Sequence, residues 1–273
     1  MFTPQRRTGT VSTGFSILGL IFHATVRSVR KSHGNAMMGL VMNMMQTVLL
    51  VGAFYVMFDV LHMRGSAVRG DFLLYIMSGI FLFLTHTKSI GAVASAETST
   101  SQMMKHAPMT TAVTIGAAAL GVLYIQTLSL LTVLFVYDVA ITPITIDNPV
   151  GAYAMVLMSW FTGSAIGVLL LAARPWAPNA VGIIQQLYSR ANMIASGKMF
   201  LANTLSSKML ALFSWNPLFH AIDQARGFTF INYNPHYSNW HYPLYVGLAI
   251  LMIGLMGEFY TRQYASLSWG ARR

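Results

Sequence analysis

The residues best suited to acid–base chemistry are His220 and Asp223, which stand three positions apart. On a helix this spacing puts both side chains on one face, where an imidazole and a carboxylate could act as acid and base. The same spacing is also typical of hydrogen-bonded pairs that stabilise a helix. The pattern therefore indicates either a catalytic pair or a local structural contact, and it favours the local contact because such pairs are common on helices.

Arg190 is the second residue of chemical interest, since it interrupts an apolar stretch between residues 180 and 200. A cation at bilayer depth usually faces a protein interior or a wet cavity, where it could meet an anionic substrate. If the stretch is short, the side chain could instead reach an interface or pair with a neighbouring helix.

Motifs of nucleotide and hydrolytic chemistry are absent from the sequence. The phosphate-binding pattern G-x-x-x-x-G-K-[ST] does not occur, and Lys198 after Gly197 is followed by Met199. H-E-x-x-H and G-x-S-x-G are also absent, and the chain has no cysteine. We therefore predict that the chain is not an enzyme and holds no metal or cofactor. Any ATP and Mg²⁺ would be bound by a separate protein.

Composition predicts a membrane protein. Of 273 residues, 55% are hydrophobic and 9% are charged, whereas soluble domains have roughly 25% charged residues. A crossing needs about 20 apolar residues, so the chain can form about six crossings in a single membrane domain, residues 1–273. The net charge of +10 then indicates anionic lipid and the orientation rule, not nucleic acid.

Apolar stretches predict an all-α fold with six spans, over residues 37–58, 72–84, 113–137, 152–173, 180–200 and 245–258 with its flanks. The second span is expected to continue as a helix through Lys88 into water. Pro175 and Pro178 predict a tight turn before the fifth span. Eleven Lys and Arg residues fall on the side of the termini, and the other side holds Arg64, Arg69, Lys198, Lys208 and Arg226. This asymmetry predicts that both termini are cytoplasmic.

The segment before the first span, residues 14–34, has the pattern of a helix lying in the membrane surface. Apolar residues recur every three or four positions, while Arg27, Arg30 and Lys31 share another face. The alternative is a solvated, charged end of the first span.

Residues 201–241 are too polar for a further crossing and too apolar for an ordinary loop. Asn216 and Pro217 predict the start of a short helix that ends at Gly227. An aromatic tract with interleaved Asn and His follows, and it includes Tyr237 and Trp240. It is predicted to form an aromatic belt at the outer headgroup level, a platform on which sugar rings stack, or both.

Taken together, these segments resemble the membrane subunit of type-2 ABC exporters, in the branch that exports capsular polysaccharide and O-antigen. The similarity covers essentially the whole chain in the family's order. It comprises the amphipathic helix closed by Arg27, Arg30, Lys31, Ser32 and Gly34, the run from Lys88 to Val93, the run from Ile194 to Phe200 and the segment from Trp215 to Arg226.

The resemblance implies a homodimer in the bacterial inner membrane, joined to two ATPase subunits, that exports a lipid-linked anionic capsular polysaccharide. It implies a coupling helix within residues 95–108, with ATPase contacts from Gln102, Met103, Lys105 and His106. Arg27, Arg30 and Lys31 would lie where the cargo enters, in contact with membrane lipids. The substrate path and outer region would include Arg190, Trp215, Asn216, His220, Arg226, Tyr237 and Trp240. Periplasmic polysaccharide co-polymerase and outer-membrane export proteins are further implied partners.

Other functions stay open at this point. The same architecture could export O-antigen, a teichoic-type polymer or a small drug. An intramembrane enzyme using His220 and Asp223 is a second class, and a passive scaffold is a third.

Overall fold

The computed structural model describes residues 10–31, 36–60, 71–96 and 110–264. In these ranges it contains nine α-helices: α1 (Thr10–Lys31), α2 (Ala36–Val60), α3 (Phe72–Ala94), α4 (Thr111–Ala140), α5 (Pro149–Ala173), α6 (Pro178–Ala195), α7 (Ser207–Phe213), α8 (Pro217–Thr229) and α9 (His241–Tyr264). A single-turn 3-10 helix, Ala202–Thr204, precedes α7. The prediction of an all-α fold is confirmed.

Five helices, namely α2, α3, α4, α5 and α9, are long and apolar enough to cross a membrane. Their apolar segments have 23 to 30 residues, so each is at least about 34 Å long and exceeds the ~30 Å hydrocarbon core. By helix length and hydropathy the chain is therefore a multi-pass membrane protein.

Local sequence determines where these helices begin. The side chain of Asp71 accepts a hydrogen bond from the N–H of Leu73 at the start of α3. Asn148 does the same for the N–H of Gly151 at the start of α5, where Pro149 occupies the first helical position. These caps satisfy N–H groups that have no partner within a helix, so they define where α3 and α5 begin.

The helices pack as a bundle with two ends. Neighbouring helices α2, α3, α4 and α5 alternate in direction, as shown by Phe58 against Phe72 and by the hydrogen bond from Tyr137 to Asp71. We call the end that contains α1 and the last residues of α3 and α5 the α1 end. The opposite end, where Phe228 of α8 packs on Gly151, is the α8 end.

Helices α5 and α9 run in parallel, which requires the chain between them to return. Gly247 of α9 faces Phe161 of α5, and Thr261 further along α9 donates to the carbonyl of Ala172. The return begins with α6, which lies along α3 and packs Val181 among residues near the α1 end. The segment after α6 then reaches the α8 end.

The fifth predicted span differs from the expected continuous helix over residues 180–200. Helix α6 has 18 residues, ends at Ala195 and is not among the five apolar helices. Polar side chains such as Gln185, Gln186 and Asn192 lower its hydropathy. Arg190 is therefore one of several polar residues on α6.

Two further predictions are corrected by packing. The end of α3 does not enter water, because Thr85, His86 and Ser89 are at most 1% exposed and bond to carbonyls of α3 and α5. Helix α8 does not end at Gly227 but continues to Thr229. A Cβ at Gly227 would lie 2.7 Å from Pro235, so glycine there permits close packing and does not terminate the helix.

Replacing Gly163 with alanine is expected to destabilise the bundle. The added Cβ would stand 2.5 Å from the carbonyl oxygen of His86, and this backbone atom can move only if α3 shifts. Overpacking of this kind costs about 1–3 kcal/mol. The matched control is Gly182→Ala, where the Cβ meets nothing within 4 Å. Thermal unfolding in one detergent should show a lower midpoint for Gly163→Ala alone, and equal midpoints would contradict this α3–α5 contact.

Candidate functional site

The segment between α6 and α9 is held by one buried cation, Arg226 of α8. Its guanidinium donates to the carbonyls of Gly197 (2.8 Å), Phe200 (2.7 Å) and Lys198 (2.6 Å). It also lies 4.2 Å from the ring centroid of Tyr75 and is 0% exposed. Arg226 therefore pairs with carbonyls that lie beyond the end of α6. The carbonyl of Gly197 also accepts from the N–H of Phe200 (3.3 Å), but an apolar surrounding would offer no donor to those of Lys198 and Phe200.

Two glycines allow this turn to lie against its neighbours. Gly197 has φ +77°, a conformation that side chains with a Cβ rarely adopt, and its Cα faces the ring of Phe219. Gly79 of α3 approaches Lys198 so closely that a Cβ would stand 2.8 Å from the Cβ of Lys198. The turn after α6 is thus packed directly between α3 and α8.

Lys198 is buried in an aromatic environment. Its Nζ lies 3.7 Å from the ring centroid of Phe83 and 4.8 Å from that of Phe54, and the residue is 3% exposed. Within the described residues this ammonium has no hydrogen-bond acceptor, so ring faces stabilise its charge. The charge asymmetry predicted that Lys198 and Arg226 lie on the side opposite the termini; in the structure both side chains are buried against α3, which is distant in sequence.

Asp223 holds the opposite side of α8. Its carboxylate accepts hydrogen bonds from the hydroxyls of Tyr233 and Ser238 (2.7 Å to the latter) and from the N–H of Ala202 (3.4 Å). Burial and the charge of Asp223 together raise the pKa of Tyr233, so this phenol stays protonated and donates. Asp223 therefore joins the segments before and after α8.

His220 is also used structurally. Its Nε2 donates to the carbonyl of Ser214 (2.7 Å) and its Nδ1 accepts from the N–H of Asn239 (3.2 Å). Burial lowers the pKa of His220, which agrees with a neutral ring that donates from one nitrogen and accepts at the other. The expected hydrogen bond between His220 and Asp223 is absent, because both side chains bond to flanking segments.

Asn216 connects α8 to α6, as well as capping α8. Its side-chain oxygen accepts from the N–H of Leu218 (3.0 Å), which agrees with the predicted helix start. Its amide nitrogen donates to Asn192 (2.8 Å) and to the carbonyl of Ala195 (3.1 Å). The start of α8 is thereby hydrogen-bonded directly to the end of α6.

The other residues predicted for the path and outer region are exposed. Trp215, Tyr237 and Trp240 lie on the surface near the α8 end, and Arg190 lies on the exposed face of α6. Trp240 stacks on His241 with ring centroids 3.7 Å apart. The structure thus separates the seven residues into a buried group that holds α8 and an exposed group that can contact other molecules.

Of the site residues predicted for the cytoplasmic side, the structure describes the side chain of Arg27. Arg27 is exposed on α1. The side chains of Arg30 and Lys31 lie outside the described residues, as do Gln102, Met103, Lys105 and His106.

A cavity of about 550 Å³ lies near the α1 end between α1, α2, α3 and α4. The ammonium of Lys88 donates to the side-chain oxygen of Asn43, whose amide donates to Gln126 (2.6 Å). The sequence did not predict this network, because Asn43 and Gln126 lie in two different predicted spans and Lys88 lies in the part of α3 that was expected to enter water. The available signal was the presence of polar side chains within apolar stretches.

Replacing Arg226 with lysine keeps the charge but is expected to loosen the turn after α6. Lysine lacks the planar fork that bonds several carbonyls at once, and each buried acceptor left unpaired costs about 1–3 kcal/mol. Hydrogen–deuterium exchange of residues 196–204 should become faster. The matched control is Arg190→Lys at an exposed site, which should exchange like the wild type. Wild-type exchange in Arg226→Lys would contradict the anchoring role.

Comparison with known proteins identifies no family for this chain. No protein-family model matches it, and no curated protein matches it. The chain is an all-helical, multi-pass membrane protein with five long apolar helices in its described part.

Proposed function

We propose that this chain is the transmembrane subunit of an ATP-driven exporter in the bacterial inner membrane. Two copies would enclose a path for a lipid-linked, anionic capsular polysaccharide, and two separate ATPase subunits would bind ATP and Mg²⁺. The resemblance of the sequence motifs motivates the proposal, and the packing of α6 supplies the observation that carries it.

Helix α6 presents two different faces. Its buried face packs on α3, where the hydroxyl of Tyr188 bonds to His86 (3.1 Å). Its other face exposes Arg190 together with Ile183 and Leu187. Arg190 stands about 18 Å along the helix from its first residue, near the middle of the bundle. Contact with lipid is unfavourable for the charge of Arg190 at this depth, and contact with water is unfavourable for its apolar neighbours. Both requirements are met if the apolar residues contact a second copy of the chain and Arg190 faces a polar path beside that contact.

The route of the chain supports a sixth crossing formed by α6 and the segment after it. Because α5 and α9 are parallel, the chain between them must pass from the α1 end to the α8 end. Six passages place α1 and the end of α9 at the same end of the bundle, which agrees with both termini being cytoplasmic.

Helix α1 supports an interfacial role at the α1 end. Ile21 packs near Gly116 of α4, while Leu18, Phe22 and Arg27 are exposed. Apolar and cationic side chains exposed on one helix suit the boundary between anionic headgroups and acyl chains. We propose that the lipid-linked cargo enters at this surface and that Arg30 and Lys31 also contact it.

The coupling segment is expected at the same end. Helix α3 ends at Ala94 and α4 begins at Thr111, and both of these helix ends lie at the α1 end. We propose that Gln102, Met103, Lys105 and His106 contact the ATPase. Closure of the ATPase pair can do transport work only if such a contact favours one arrangement of the membrane dimer.

The α8 end would face the periplasm, where co-polymerase and outer-membrane export proteins would receive the polymer. Trp215, Tyr237 and Trp240 are exposed there, and aromatic rings suit either an interfacial belt or a platform for sugar rings. Export of O-antigen, a teichoic-type polymer or a small drug would use the same architecture. An intramembrane enzyme is disfavoured because His220 and Asp223 do not bond to each other: His220 bonds to backbone groups of the flanking segments, and Asp223 bonds to the hydroxyls of Tyr233 and Ser238.

Deletion of the gene should leave capsular polysaccharide inside the cell and deplete it from the surface. Surface and intracellular polymer are measured separately with a polymer-specific antibody. Restoration with Arg190→Lys should recover export, whereas Arg190→Glu should not, because it places a like charge beside the anionic polymer. A deletion strain with a normal amount of surface polymer would overturn the proposal.

A further inference from the structure

We propose that the cavity near the α1 end binds the phosphate of one anionic membrane phospholipid, with Lys88 as the phosphate contact. This inference goes beyond the proposed export function and does not depend on it. It rests on the charge of the cavity, its depth in the bundle and the apolar character of the rest of its wall.

The charge of the cavity favours an anion. Lys88 is its cationic wall residue, and no acidic side chain is among the described residues that line it. An ammonium carries three N–H donors, and within the described part of the chain Asn43 is the hydrogen-bond acceptor that the structure shows for Lys88. The amide of Asn43 also donates a hydrogen bond to Gln126, so this network positions the ammonium of Lys88 at the wall of the cavity.

The depth of Lys88 favours a lipid over a soluble ion. Lys88 lies six residues before the end of α3, or about 9 Å along the helix axis. With the end of α3 placed at the outer edge of the headgroup region, which is about 5–8 Å thick, Lys88 comes close to the boundary with the hydrocarbon. A phosphate that is attached to acyl chains is already present at this depth, whereas a free phosphate must leave water to reach it.

The remaining wall suits the glycerol and the first part of an acyl chain. Gly39 and Gly121 leave room where larger side chains would fill the space, and Val122 and Ile125 provide apolar surface. Met42 lines the cavity and is also 48% exposed, so the cavity opens on the side of the bundle. A lipid can therefore enter laterally from the membrane. A volume of about 550 Å³ accommodates a headgroup and its attachment, with the acyl tails outside.

The experiment titrates the purified full-length chain in detergent with dioleoyl phosphatidylglycerol and follows bound lipid by native mass spectrometry. Lys88→Gln keeps a donor for Asn43 but removes the charge. Hydrogen bonds to charged groups contribute roughly 1.5–3 kcal/mol, so affinity should fall about tenfold or more. Lys208→Gln, which changes an exposed lysine of α7, is the matched control and should bind like the wild type.

A second pair of variants decides the matter if Lys88→Gln does not fold. Met42→Trp fills the mouth of the cavity from a half-exposed position and should abolish binding of the tightest phosphatidylglycerol molecule. Met45→Trp, exposed on the same helix but not part of the cavity wall, should retain it. Loss in both variants, or in neither, would overturn the proposal.

Two further arms identify the ligand. Dioleoyl glycerol, which has the same acyl chains but no phosphate, should bind with an affinity that Lys88→Gln does not change. Inorganic phosphate should fail to displace phosphatidylglycerol, and full displacement would show that the cavity is a site for free phosphate. Unchanged phosphatidylglycerol affinity in a folded Lys88→Gln chain would also refute the inference. No ATPase or polymer is present in these measurements, so their outcome is independent of the export assay.

Discussion

Polar groups within a membrane protein need partners inside the protein, and Arg226 is where this constraint acts most strongly. Helix α6 ends before it completes an apolar crossing, which leaves the carbonyls of Gly197, Lys198 and Phe200 without helical partners. The guanidinium of Arg226 donates hydrogen bonds to all three carbonyls. A buried carbonyl without a hydrogen-bond donor would cost several kcal/mol. With the turn held in place, α8 can pack on α3 and α5, and α9 can begin at the α8 end.

Whether a polar residue finds its partners within the chain separates residues that hold the fold from candidates for contact with other molecules. His86 bonds to α5 and α6, Asp223 bonds to the segments on both sides of α8, and Lys198 lies against aromatic rings. Their partners all lie within one chain. Arg190 is different because it is exposed at similar depth on a face with apolar neighbours. This difference is the reason for proposing a second copy and a polar path beside α6.

Local properties could be predicted from the sequence, and properties that depend on distant helices could not. The five apolar helices follow from length and hydropathy, and the cap at Asn216 follows from its position before Pro217. The burial of the segment from Thr85 to Lys88 depends on its contacts with α5, α6 and α2. The polarity of this segment alone therefore wrongly predicted that it enters water. The spacing of His220 and Asp223 indicated a pair, but their bonding partners lie up to 21 residues away in sequence. The cavity at Lys88 has walls from four helices, which no single segment reveals.

The most direct test of the central claim asks whether the exposed face of α6 contacts a second copy. The chain has no cysteine, so one introduced cysteine reports contact between copies without interference. Under mild oxidation in native membranes, Leu187→Cys on α6 should form a disulfide-linked dimer. Leu131→Cys on α4, a leucine exposed to a similar extent, should stay monomeric. Monomer alone for Leu187→Cys, or equal cross-linking at both positions, would contradict the account.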